Sequence, residues 1–363
     1  MRLLKTVFIV LVFFCFNSVV AQEFSLEHQQ SIPVETENYL FGVISLMEKT
    51  EQHLFLIDGS QHNVFVFDKK TLTFQSSWGQ AGRGPGDFNQ IFATDSKDNK
   101  LYILDRMLIR ITSYNPENDE IEVFQIRKPD VNTTGIGFLD DGNILLVNGG
   151  YPDPKTEPII HINDLKNDKP VPLPIYASEL FDLTVPIENR FGHSLGFRLD
   201  RIGKSDRFLL SNRVFKGVLY EVLPNEEKLT LFSKVDVPEP AYAIYDADSG
   251  LELHQSGMPG LVISSGRTGR FVYQMLSNSL AISSNDQFVI HLRSVNREMD
   301  TIYFLDIHGH NGDLFQTLNI TNCLQTAQYV TDILLLSDNS MLISFVDDED
   351  GYPKVEIFQL EQK

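Results

Sequence analysis

Cysteine is nearly absent from this chain. Of two in 363 residues, Cys15 lies in the apolar N-terminal stretch and Cys323 is the only one beyond it. Once that stretch is removed no intramolecular disulfide can form, and the fold must rest on a packed core. Positive charge is also scarce. Lys and Arg total 30 against 49 Asp and Glu, a formal net charge of −19, which argues against a surface built for nucleic-acid phosphates. After residue 21 no apolar run approaches the ~20 residues of a membrane-spanning helix, so no transmembrane segment is expected. Long helical periodicity is lacking too, and helices are read as minor.

The first residues have the layout of an export signal. Arg2 and Lys5 form a short positive region, Val7 to Phe16 is apolar, and Val19 and Ala21 supply small or modest side chains at the positions a signal peptidase reads. The reading is a signal peptide over 1–21, cleaved after Ala21, and a single domain over 22–363. The product would be periplasmic or extracellular. Phe13 and Phe14 stand before Cys15 where a lipidation site needs small residues.

The remaining chain is built from short runs rich in Val, Ile, Leu, Phe and Tyr, broken about every 8 to 12 residues by Asn, Asp, Gly or Lys. These runs fall into groups of four. The groups begin near Tyr39, Ile91, Thr134, Leu195 and Ser279, and a sixth, from Thr331 to Leu360, holds only three. Glu23 to Ile32 supplies the missing strand. A ring in which the N-terminal strand completes the last blade accounts for both facts and removes the open edges of a sheet stack. The expected fold is therefore an all-β, six-bladed β-propeller with four-stranded blades. Two long connections, Tyr176 to Ser194 and Pro238 to Asn278, leave seven blades as the alternative, with an extra blade concealed in the surplus.

The segment Leu54 to Tyr114 carries a recognisable pattern. LFLIDGSQHNVFVFD precedes TFQSSWGQAGRGPGDFNQIFATDSKDNKLYILDRMLIRITSY, with Asp58 and Asp105 closing second strands, Arg110 on a third strand, and Gly84-Pro85-Gly86 with Phe88 in the connection between blades. This order resembles two consecutive NHL repeats, and similar patterns occur in bacterial exported proteins described as six-bladed β-propellers. The resemblance implies the propeller fold. It assigns no single activity, because such propellers serve as interaction platforms, ligand sensors, lyases and lactonase-like hydrolases.

No complete catalytic set is visible. Gly192-His193-Ser194-Leu195-Gly196 matches the G-x-S-x-G string but lacks the strand–turn–helix setting that exposes a nucleophilic serine. The acidic turns at Asp246 to Gly250 and Asp347 to Gly351 do not place ligands in calcium-loop register. His308 and His310 lack further zinc ligands nearby. The arginines are more suggestive. Turns between second and third strands, and connections between blades, converge on one face of a propeller around its channel. That face would receive Arg297 and, as candidate ligand-binding residues, Arg83, Arg106, His193, Arg198, Arg213, Arg267, Arg270 and Arg293. Such a positive mouth would hold a carboxylated, phosphorylated or sulfated ligand through bidentate hydrogen bonds. Pairing of some of these arginines with Asp58, Asp105 and Asp300, locking blades together, is the structural alternative. Arg110 is read as structural.

The functional expectation is an exported binding module for a protein partner or an anionic small molecule or glycan, without catalysis and without a cofactor. The alternative is a metal-dependent, lactonase-like hydrolase or lyase with calcium or zinc in the central channel, which would require three or four ligating side chains converging from different blades.

Overall fold

The computed structural model describes residues 23–126, 133–148, 156–164, 169–182, 184, 197–266 and 269–363. Strand β1 (Phe24–Ile32) is followed by blade 1, made of β2 (Ile44–Lys49), β3 (His53–Asp58), β4 (Asn63–Asp68) and β5 (Phe74–Trp78). Blade 2 is β6 (Ile91–Lys97), β7 (Lys100–Asp105), β8 (Arg110–Asn115) and β9 (Glu120–Gln125). Blade 3 is β10 (Thr133–Phe138), β11 (Ile144–Asn148), β12 (Pro158–Asp164) and β13 (Lys169–Tyr176). Blade 4 is β14 (Phe197–Arg201), β15 (Phe208–Asn212), β16 (Val218–Leu223) and β17 (Lys228–Lys234). After an inserted unit come blade 5, with β21 (Ser277–Ser284), β22 (Val289–Arg297), β23 (Asp300–His308) and β24 (Leu314–Asn319), and blade 6, with β25 (Ala327–Leu335), β26 (Ser340–Asp347) and β27 (Pro353–Gln362).

Each blade is an antiparallel sheet in chain order, and β1 pairs with β27 to give blade 6 its fourth strand, from Phe24 opposite Gln362 to Ile32 opposite Val355. The first strands β2, β6, β10, β14, β21 and β25 stand in succession around one axis, and β25 returns to β2. The ring is therefore a six-bladed β-propeller. The Pro238 to Asn278 connection contains no seventh blade. It folds as β18 (Tyr242–Tyr245), helix α1 (Ala247–Gln255), β19 (Leu261–Gly266) and β20 (Gly269–Met275), and its three-stranded sheet lies outside the ring, since β14 meets β21 directly. Asp246, in one of the two acidic turns, caps α1 by accepting from the Ser249 N–H at 2.9 Å.

Burial explains the strand sequences. The second strand of blade 1, HLFLID, is buried at every position, whereas the outer strand FQSSW alternates. A middle strand is pressed on both faces by neighbouring blades and must be apolar throughout, while an outer strand shows one face to water. Fully buried Phe55, Leu56, Phe67 and Ile57 each contribute about 1.5–3 kcal/mol by leaving water. Blade 3 solves a tighter problem with glycine. A Cβ on Gly135 would lie 2.9 Å from the Leu199 Cβ, and one on Gly137 would collide with the Phe208 ring. Blade 4 can approach β10 this closely only because both positions lack side chains.

The residues that the sequence marked out in blades 1 and 2 fasten loops. Asp58 accepts from the Gly42 N–H (2.5 Å), the Ser60 N–H (2.9 Å) and the Gln61 N–H (2.9 Å). Asp105 accepts from the Asn89 N–H (2.6 Å) and the Leu108 N–H (2.9 Å). Each aspartate thus ties its own turn to the incoming connection between blades. None of Asp58, Asp105 and Asp300 forms an ion pair with an arginine among the described residues, so the structural alternative fails for these three aspartates. Arg110 is structural, as read: it donates to the carbonyls of Arg83 (3.1 Å), Gly84 (2.8 Å) and Asp87 (2.6 Å), clamping the glycine-rich connection.

Candidate functional site in the central channel

The six first strands surround a channel of ≈1310 Å³. At the end where first strands turn into second strands, two cations bridge the wall. Lys49 of blade 1 donates to the carbonyls of Ser284 in blade 5 (2.5 Å) and Leu335 in blade 6. Arg201 of blade 4 donates to Asp95 of blade 2 at 2.7 Å, to the Phe138 carbonyl of blade 3, and to Asp206 of its own turn at 3.4 Å. Between them the two side chains touch all six blades. The Ser96 hydroxyl joins the two halves by donating to the Lys49 carbonyl at 2.6 Å, and the Ser284 hydroxyl donates to the Arg201 carbonyl at 2.9 Å.

Higher in the channel, Arg198 reaches from blade 4 to Asp332 of blade 6 (3.0 Å) and to the Leu280 carbonyl of blade 5, while Asp332 accepts from the Met47 N–H at 2.7 Å. Burial, followed by the nearby Asp95 carboxylate, pushes the Glu48 carboxyl up to about 8, and burial draws the Lys49 ammonium down to about 8. Asp200, two residues along from Arg198 and also in the wall, is pushed up to about 7 by burial; the Arg198 charge opposes this rise, and Asp332 and Asp95 add to it. Asp200 accepts no hydrogen bond from any described residue, and its Oδ2 is sealed from water.

Of the eight residues singled out in the sequence, three line the channel: Arg106, Arg198 and Arg213. Arg198 is engaged with Asp332. Arg106 lies over the Phe92 ring at 4.9 Å, and Arg213 is exposed. Neither forms an ion pair with a described residue. Arg83 is exposed on the clamped connection and away from the channel wall. His193, Arg267 and the Ser194 motif lie outside the described residues, and Arg270 is placed only as the partner of Ser265 in the β19–β20 ladder.

Arg293 is a correction. It is 4% exposed and bound to Asp306 at 2.7 Å inside blade 5, not at the rim, because β22 continues past it to Arg297. It belongs to a buried network in which His291 meets the Ser279 hydroxyl at 3.0 Å and Asp306 accepts from the Thr317 hydroxyl at 2.7 Å. Although burial alone would raise it, the bonds and charges of His291 and Arg293 hold the Asp306 carboxyl well below the usual carboxylate range. The sequence missed Lys49, Arg201, Asp95, Asp200 and Asp332, which form the channel wall. Among the described residues, no three His, Cys, Asp or Glu side chains gather as a metal-binding group.

The architecture defines the chain as a β-propeller. A model of the family described as "6-bladed beta-propeller" matches residues 17–143. No curated protein matches the sequence. Among solved structures, the chain is similar to a protein of Bacteroides fragilis NCTC 9343 described as exported (12% identity, 94% of this chain and 96% of that one, TM-score 0.58). A member of the DUF4221 family from Bacteroides vulgatus aligns over 94% of this chain and 99% of its own at 11% identity and a TM-score of 0.62. The WD40 repeats of RRP9 align over 93% and 100% at 10% identity and a TM-score of 0.53. Likenesses this remote in sequence speak to the fold. No described helix is long and apolar enough to cross a membrane.

Proposed function

We propose that this protein is an exported binding module that takes a small anionic ligand at the mouth of its channel, with Arg106 and Arg213 as the anion-holding residues. The observation that carries the reading is that these two guanidiniums line one cavity and have no carboxylate partner among the described residues, while Arg198, Arg201 and Arg293 are all paired. The arginines that lock this fold are spent on carboxylates or, like Arg110, on backbone carbonyls; one left with neither beside a cavity supplies a planar fork for a carboxylate, phosphate or sulfate. Export rests on the signal-like residues 1–21, supported by a fold shared with a Bacteroides protein described as exported. Blades 1 and 2 we read as NHL-like, on the loop-fastening roles of Asp58, Asp105 and Arg110.

The test is calorimetric titration with citrate, glucuronate and inorganic phosphate, using wild type and the Arg106→Ala/Arg213→Ala variant. Each charge-assisted bond is worth about 1.5–3 kcal/mol, so the double substitution is expected to weaken binding at least ~100-fold. The melting temperature should stay unchanged. Equal affinity in the variant, or no anion binding by the wild type, overturns the reading.

A further inference from the structure

We infer that the channel contains a second, opposite subsite at Asp200 that receives an ammonium group, so that the ligand is a zwitterion: an amino acid or short peptide with free amino and carboxyl ends. This rests on the arginine reading for the carboxylate end. The amino end follows from a separate set of observations. Asp200 lines the channel wall and its carboxylate accepts no hydrogen bond from a described residue; Oδ2 is buried away from water, which leaves Oδ1 as the oxygen a ligand would meet. The nearest cation on its own strand, Arg198, is committed to Asp332 and the Leu280 carbonyl. The cation nearest the floor on that strand, Arg201, is committed to Asp95 and Asp206.

Three carboxylates line the channel, and the two guanidiniums on the Asp200 strand are paired to the other two. Asp200 comes from blade 4, Asp332 from blade 6 and Asp95 from blade 2; both of the latter raise the proton affinity of Asp200. Removing a charge from water without a partner is costly; Asp200 meets that cost in part by holding a proton, and an ammonium in the channel would take the proton's place. A hydroxyl or neutral amide would leave the repulsion among the carboxylates in place, whereas an ammonium relieves it. The channel is also larger than the 300–1,000 Å³ typical of small-molecule pockets, which leaves room for a ligand that extends from Asp200 towards the mouth arginines.

Three forms of one peptide test this: alanyl-alanine, its N-acetyl derivative and its C-terminal amide, each titrated into the full chain and into Asp200→Asn. The free dipeptide is expected to bind at least ten-fold more tightly than either blocked form. Asp200→Asn should reduce the dipeptide to the affinity of the acetylated form and leave that form unaffected. Since Asp200 is part-protonated near neutral pH, dipeptide binding at pH 7 should also release a fraction of a proton, visible as an enthalpy that changes with the buffer's ionisation heat.

Acetylated and free dipeptide binding equally tightly overturns the ammonium subsite and leaves the arginine reading intact. Tight binding of the amide that is lost in Asp200→Asn but kept in Arg106→Ala/Arg213→Ala leaves the ammonium subsite standing and overturns the arginine reading. Absence of binding by all three forms overturns the peptide assignment. Because Asp200→Asn removes an unpaired charge, its melting temperature should equal or exceed that of wild type, which separates lost binding from lost fold.

Discussion

Replacing Arg201 by Met would open one half of the cation bracing at the channel floor. The guanidinium is 11% exposed, holds the 8% exposed Asp95 at 2.7 Å, and lies over the Phe208 ring at 4.7 Å. Methionine keeps part of the packing on Phe208 but leaves Asp95 buried, with the Phe138 N–H at 2.6 Å as its remaining donor. Removing one partner of a buried pair costs about 3–5 kcal/mol, most of it the penalty of the stranded charge. With about 2.1 cal/mol/K of unfolding entropy per residue, a chain of this length should lose roughly 4–7 °C in Tm. The assay is thermal unfolding of wild type, Arg201→Met, Asp95→Asn and the double variant. The double variant should recover most of the loss, since the amide oxygen introduced by Asp95→Asn can still accept from Phe138 without carrying charge. A cost below about 1 kcal/mol for Arg201→Met, or a double variant no better than the single one, would refute the bracing.

Arg110→Ala should free three loop carbonyls and cost about 2–3 kcal/mol, with faster amide hydrogen exchange confined first to residues 79–88. Gly137→Ala should destabilise by about 1–3 kcal/mol through collision with Phe208, measured by denaturant unfolding. The pH dependence of stability should differ between wild type and Asp200→Asn. Asp200 titrates at about 7 in the folded chain and near 4 when unfolded, so between these values the folded state binds more protons and wild-type stability falls as pH rises. The melting temperature of Asp200→Asn relative to wild type should therefore climb from pH 4 to pH 7 and level off above it. A flat difference would mean that the carboxylate is solvated like any surface aspartate.

The ring was legible because blade strands obey local rules. A middle strand such as HLFLID must be apolar throughout, and the three-strand group at the C-terminal end together with the spare strand read at Glu23 to Ile32 pointed to the closure, which β1 makes from Phe24. Glycines in GRGPGDF marked a shaped loop, and Arg110 beside them had an evident task. The channel wall was legible only at Arg106, Arg198 and Arg213; the rest of its chemistry comes from strand ends that are far apart in sequence. Lys49 meets carbonyls 235 and 286 residues away, and Arg201 meets an aspartate 106 residues back. No spacing rule links such positions. Arg293 was placed at the rim because its strand was expected to end there; four more residues of ladder, out to Arg297 opposite Asp300, carry it into the blade. Likewise, the 238–278 surplus showed its length but not its form, since a three-stranded sheet beside the ring and a seventh blade within it draw on the same strand-forming residues.

The pairing of β1 with β27 has a consequence for solubility. Without β1, the β27 strand would present a row of unmatched N–H and C=O groups along the eight residues from Val355 to Gln362, partly apolar through Val355, Ile357, Phe358 and Leu360. An edge of this kind pairs readily with the equivalent strand of another copy. The segment that seals the ring therefore also acts as the chain's own guard against polymerisation, and a form cut between Ile32 and Ile44 would put both halves of that guard at risk of exchange between molecules.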